Sequence, residues 1–285
     1  MTTQAAPPVA RRVASRLRRI DPGFVVAGAV LALYALAAAA PGVLATHDPT
    51  ELDFAAALQA PSGAHWLGTD ESGRDLYSRI VHGTRESLLI GGGATALSIS
   101  IALVLGSAAA LAPTPIAIVV DRLVEVLFAF PALLLALLLV AILGSSAWTQ
   151  VVAVGIGTAP GYARMIRGQV LSVRRSAYIE AATALGHTPW RILRAHIAPN
   201  AIRPLVAIVM LSIGQSIVWA SSLAFLGLGV APPASEWGAL LDAGRPYVTQ
   251  AGWLVVIPGL VIVVLALTTT TLGSHIQRLI EKGER

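Results

Sequence analysis

The sequence predicts an all-α polytopic membrane protein that crosses the bilayer six times, with both termini on the cytoplasmic side. Three observations carry this. Of 285 residues, 55% are hydrophobic and only 12% charged, about half the charged share of an ordinary soluble domain; the mean hydropathy is +0.73. The apolar residues fall in blocks of about 20, the length that a hydrocarbon layer of ~30 Å requires of a helix. Arginine gathers in alternate gaps between those blocks. Backbone polar groups in lipid must be satisfied within the segment, which leaves helices as the spanning form.

In chain order, residues 1–22 form a polar tail with five arginines (Arg11, Arg12, Arg16, Arg18, Arg19). An apolar run from Phe24 to Ala45 follows, with Pro41-Gly42 near its end. Basic then apolar sequence also describes a signal peptide, but this run exceeds the usual apolar region of one, so 23–45 is read as the first span. Residues 46–86 hold seven carboxylates (Asp48, Glu51, Asp53, Asp70, Glu71, Asp75, Glu86) and are read as extracytoplasmic. Apolar runs at 87–111, 123–143, 149–171, 203–226 and 252–274 complete the six, within a transmembrane domain at 87–275. Short breaks fall at Pro113-Thr114-Pro115 and Gly144-Ser145-Ser146, and longer polar stretches at 172–202 and 227–251. Residues 276–285 form a second cytoplasmic tail.

Sidedness follows from charge. With the N-terminus inside, the inner segments and adjoining span ends, 1–22, the 112–122 turn, 164–203 and 275–285, carry 16 of the 20 basic residues and five acids, with Glu125 just beyond as a sixth; the outer ones carry four basic residues with nine acids. Basic residues are retained on the cytoplasmic side. The net charge of +5 therefore reflects topology and contact with lipid, with no nucleic-acid partner implied. Cysteine is absent, which excludes disulfides, thiolate nucleophiles and Cys-bearing zinc sites. The single lysine, Lys282, follows Ile280-Glu281, so the glycine-rich phosphate loop ending in lysine is missing. Nucleotide hydrolysis has to come from another chain, and no catalytic residue is expected in this one.

The informative stretch is Tyr178 to Arg194. Glu180, Ala181, Ala182, Ala184 and Leu185 favour helix, and Gly186 is a helix stop able to take a left-handed conformation. After His187, Thr188-Pro189 reads as an N-cap followed by proline at the first helical position, with Trp190 next. Two short helices joined at a glycine are expected on the water side. Such an element can dock a cytosolic protein through its small-residue surface. It can equally lie on anionic lipid through Arg174, Arg175, Arg191 and Arg194.

Glu180-Ala181-Ala182, then Gly186, then Pro199, resembles the EAA signature of bacterial ABC import permeases, with Ala198 where leucine is usual. Gly68-Thr69-Asp70-Glu71-Ser72-Gly73-Arg74-Asp75, Phe128-Ala129-Phe130-Pro131, Pro160-Gly161-Tyr162-Ala163-Arg164, Leu223 to Gly229 and Glu236-Trp237-Gly238 are similar to the dipeptide/oligopeptide/nickel group of that family. The pattern is that of the second permease of the pair, the DppC/OppC type, and runs from about residue 24 to 275. The resemblance implies a type I importer permease fold in the bacterial inner membrane. It further implies a homologous first permease (DppB/OppB type), two cytosolic subunits that bind ATP and Mg, and an extracytoplasmic binding protein. The 178–196 element would be the coupling helix seated on an ATP-binding subunit. Peptide is the expected cargo; nickel complexes, glutathione and haem are the alternatives within the family.

Other stretches carry weaker signals. Asp70-Glu71-x-x-Arg74-Asp75 places arginine where a calcium loop needs oxygen, so salt-bridged structure is expected, with turns at Gly68 and Gly73. His47, His65 and His82 are spaced 18 and 17 apart, a pattern of no ligand pair, and no metal site is expected. In the fifth span Gln215 and Trp219 either line the translocation path or bind neighbouring helices, whereas Ser221 and Ser222 read as interhelical hydrogen-bonders. Gly91-Gly92-Gly93 reads as a close helix contact. An ion-gradient transporter is the rival class. It is disfavoured because the span centres lack Asp, Glu, Lys and Arg, the groups expected in such a path.

Overall fold

The computed structural model describes residues 22–283; the arginine tail expected at 1–22 lies outside them, except for Pro22. Helix α1 spans Pro22–Ala39. Helix α2, Leu76–Leu111, starts where Asp75 caps it by accepting the Ser78 amide at 2.8 Å. The helix therefore begins well before the expected boundary at 87. Its 36 residues rise about 54 Å, several turns more than a bilayer core of ~30 Å.

The expected turn at 112–122 is helical instead. Thr114 opens α3 (Thr114–Ala129), with Pro115 placed in the first turn, where its missing amide hydrogen costs nothing. The third span, expected to run unbroken over 123–143, is broken. Helix α4 (Ala132–Leu143) follows α3 at a bend of 87°. Pro131 explains it: proline disfavours helical backbone in the residue before it, and Phe130 is extended at φ −77°, ψ 131°.

Helix α5 (Ala147–Arg174) is capped by Ser146, which accepts the Thr149 amide at 3.0 Å. Then come α6 (Ala177–Ala184) and α7 (Pro189–Ile192). A wide π-helical turn, Leu193–Ile197, passes into α8 (Ala198–Leu223). The helical path runs on through Ala198-Pro199. Pro199 sits in the first turn of α8, and the Ala198 amide bonds to Leu193 O, five residues back, so the helix widens to accommodate the ring. Gly227, at φ +80°, ends this helical stretch. The expected loop 227–251 contains α9 (Trp237–Gly244), and α10 (Trp253–Gly283) closes the described chain.

Among the described residues, α1, α2, the 205–228 stretch and α10 are long and apolar enough to cross a membrane; the bent α3–α4 pair makes a fifth if taken as one span. Helix α5 has the length, with 28 residues. However, Gln150, Arg164 and Arg167 make it more polar.

Helix α2 is the central post. It packs along α5 and also against α8 and α1, while α10 packs on α8 and α1. Small residues set the spacing. A Cβ at Gly91 would collide with the Ile217 side chain, and one at Gly93 would fall 3.3 Å from Val151; Gly92 has open space. Hydroxyl pairs join the helices inside, Thr95 to Ser216 at 3.0 Å and Ser98 to Thr158 at 2.9 Å. The serines expected in that role behave otherwise: the Ser222 hydroxyl bonds Val218 O of its own helix, and the buried Ser221 hydroxyl has no partner. Leu89, Val104, Ile118, Leu138 and Leu260 form an exposed apolar exterior, as lipid contact requires.

The 46–75 segment is folded onto the end of α2. Asp70 takes Arg74 Nε at 2.7 Å and Arg79 Nη1 at 2.5 Å, all three buried. The ion-paired structure expected there is present, and Gly68 and Gly73 make turns at φ +81° and +77°. Arg79 also donates to Ala234 O at 2.9 Å. Fully buried Trp237 donates to Ile80 O at 3.0 Å. These contacts lock the segment before α9 against α2.

Candidate coupling interface

Two short helices meet at Gly186 as local chemistry dictates. Helix α6 ends in a Schellman motif: the Gly186 amide donates to Thr183 O at 2.9 Å and the His187 amide to Ala182 O at 3.1 Å. That motif needs a left-handed residue after the cap, and Gly186 supplies it at φ +77°. Thr188 caps α7 by accepting the Arg191 amide at 3.4 Å, with Pro189 at the first position.

The hairpin has a buried underside and an exposed outer face. Ile179, Ala182, Ile192 and Ile197 pack into one apolar cluster with Ala110, Ile166, Val170 and Val173, at the ends of α2 and α5. Arg174, in the last turn of α5, donates to Ala110 O at 2.7 Å and so satisfies a carbonyl at the end of α2. Glu180, Ala181, Ala184, Gly186 and Trp190 face out. Leu185 is 77% exposed and Trp190 67%.

Ala182, expected on the small-residue docking surface, belongs to the underside instead. It lies three residues after Ile179, on the same helical face. His187 is half-buried and stacks on His196, with ring centroids 5.9 Å apart. Tyr178, 44% exposed, joins the outer face and was not singled out from the sequence. Its signal was its place one residue before buried Ile179.

Two other stretches that the sequence offered separately touch one another. The Arg164 guanidinium lies over the Phe128 ring at 4.5 Å, a favourable cation–π arrangement. Arg167 donates to Asp121 at 2.8 Å. Together they tie α3 to α5 beside the Pro131 bend. Gln215 is exposed on α8 and Trp219 half-buried, so both remain available to a neighbouring chain.

A bundle of helices long and apolar enough to cross a membrane marks a multi-pass membrane protein. The chain belongs to the binding-protein-dependent transport system inner membrane component family, which matches residues 102–283. It is 37% identical to the probable D,D-dipeptide transport system permease protein DdpC of Escherichia coli over 84% of this chain and 80% of that one. It is 37% identical to the di/tripeptide permease DppC of Pseudomonas aeruginosa over 82% and 79%. The glutathione permease GsiD of Pectobacterium atrosepticum is 39% identical over 87% and 82%. Among solved structures, a chain of the MetNI methionine ABC transporter superposes with a TM-score of 0.60 at 20% identity, covering 71% of this chain and 96% of that one. A chain of an amino acid ABC transporter gives 0.57 at 19%, covering 70% and 93%. The folds are thus alike.

Proposed function

We infer that this chain is a permease subunit of an ATP-driven importer of peptides, forming half of a translocation path and receiving force through residues 178–196. The observation that carries the coupling role is the exposure of Leu185 and Trp190 on a hairpin whose other face is anchored on α2 and α5. Burying such side chains against a partner returns about 25 cal/mol per Å² of apolar area, and the rigid underside passes displacement directly to the long helices. Peptide as cargo is supported by the names of the dipeptide relatives; glutathione, itself a small peptide, is the second reading, supported by the GsiD relative.

In this reading the hairpin faces the cytosol of a bacterial inner membrane and six spans place both termini inside. A homologous permease completes the path, with Gln215 and Trp219 lining it. Two ATP-binding subunits carry ATP and Mg, and an external binding protein delivers cargo; the permease supplies no chemistry to the transport cycle. ATP-driven closure of those subunits draws the hairpins together and rocks the helices as rigid bodies. Purification of the chain with its neighbouring subunits tests this. An ATPase should co-purify, and its rate should rise with a binding protein loaded with dipeptide. Absence of any ATPase under conditions that keep the bundle folded would remove the coupling role, and stimulation by glutathione alone would shift the cargo.

A further inference from the structure

His47, His65 and Asp75 come from three separate stretches, yet one ligand atom from each lies within 4.8 Å of the others. His65 Nδ1 is 3.0 Å from Asp75 Oδ1, and His47 Nδ1 is 3.8 Å from the same oxygen. The two imidazoles face each other with centroids 4.9 Å apart. Three donors around a tetrahedral ion at bond lengths of ~2.0–2.1 Å stand about 3.3 Å from one another. Two of the separations, 3.0 and 3.8 Å, bracket that value and the third lies within 4.8 Å, so the side chains would have to converge modestly to share one ion.

The frame around them is built. Asp75 is buried, and its second oxygen accepts the Ser78 amide at 2.8 Å. The Ser78 hydroxyl in turn accepts the amides of Thr46 and His47 at 3.2 and 3.0 Å. The start of α2 and the stretch carrying His47 are thus already fixed to each other. Asp75 is held on the inner side and His47 stands exposed, which leaves an entry route and an open fourth position for water.

We propose that His47, His65 and Asp75 bind a divalent transition-metal ion of the zinc type, which clamps residues 46–65 onto the N-terminus of α2. Two imidazoles and one carboxylate suit zinc and its neighbours, whereas calcium and magnesium take oxygen ligands. On binding, the neutral His65 ring would coordinate through the Nδ1 lone pair and carry its one N–H proton on Nε2. His82 lies outside the group, its Nδ1 turned to Ser78 O at 2.9 Å. The site stands on these three residues alone, independent of the cargo and of the coupling hairpin.

The test is zinc titration of the purified, metal-stripped full chain by calorimetry, with cobalt(II) absorption reporting tetrahedral geometry. One ion per chain should bind, and zinc should raise the melting temperature by mass action. His47→Ala and His65→Ala should each weaken binding by about tenfold or more, and Asp75→Asn, which retains a capping side chain, should do likewise. His82→Ala and His187→Ala should bind as the wild type does. Melting without metal identifies any variant lost to unfolding; exposed His47→Gln then serves as the second ligand variant. Absence of one-to-one binding, or wild-type affinity in a folded His47 or His65 variant, would overturn the proposal.

Discussion

The Ser87 hydroxyl donates to Glu236 Oε1 at 3.2 Å, joining side chains 149 residues apart in a buried setting. The same carboxylate accepts the amides of Gly238 and Ala239 at 2.9 and 2.8 Å and so caps α9. The Ser87 hydroxyl also accepts the Trp237 amide at 3.0 Å. One carboxylate therefore starts a helix and fastens it to α2.

Glu236→Gln should lower the melting temperature, because one capping oxygen becomes an NH₂ group facing the Ala239 amide. Loss of a cap costs about 1 kcal/mol. Burial pushes the Glu236 carboxyl above its ordinary 4.5, against the pull of Gly238, Ala239 and Ser87. A carboxyl raised in the folded state contributes stability that is present below the ordinary value and lost as pH rises through the raised one. The deficit of the glutamine variant should therefore be fully present at and below pH 4.5 and shrink as pH rises above it, as read by melting curves at stepped pH.

Asp70→Ala would leave Arg74 and Arg79 buried without their shared carboxylate. Breaking a buried pair from one side costs about 3–5 kcal/mol. Loss of folded protein from detergent extracts, measured by fluorescence-detected size exclusion, is the expected result.

Gly186 has open space where a side chain would begin, so its constraint is the backbone angle of +77° alone. Asparagine tolerates that region and β-branched residues do not. Gly186→Asn should keep transport near wild type, and Gly186→Val should abolish it while protein remains in the membrane, as measured by uptake and immunoblot.

Leu185→Ala and Trp190→Ala remove exposed side chains, so stability should change by no more than about 0.5 kcal/mol. A tryptophan anchor at an interface is worth about 2 kcal/mol or more. Association with the ATP-binding subunit should therefore weaken by roughly 30-fold for Trp190→Ala, checked by pull-down from mixed detergent extracts.

Local punctuation was legible in the sequence. The stop at Gly186 and the start at Thr188-Pro189 depend on residues next to one another, and both formed as the chemistry of those residues requires. The bend at Pro131 was equally local, but hydropathy averaged across Leu123–Leu143 hid a proline in plain view. Burial of Ala182 could have been read from its phase with Ile179. Contacts between distant stretches had no such signal. His47, His65 and Asp75 meet because three segments fold back on the start of α2, and Ser87 meets Glu236 because α9 packs there. No spacing along the chain encodes either.

The absence of cysteine allows a direct test of sidedness and contact together, through a single thiol introduced as Leu185→Cys. In intact cells that thiol should resist a membrane-impermeant reagent added outside, react in inverted membranes, and crosslink to the ATP-binding subunit. Labelling from outside, with no crosslink formed, would contradict the coupling account.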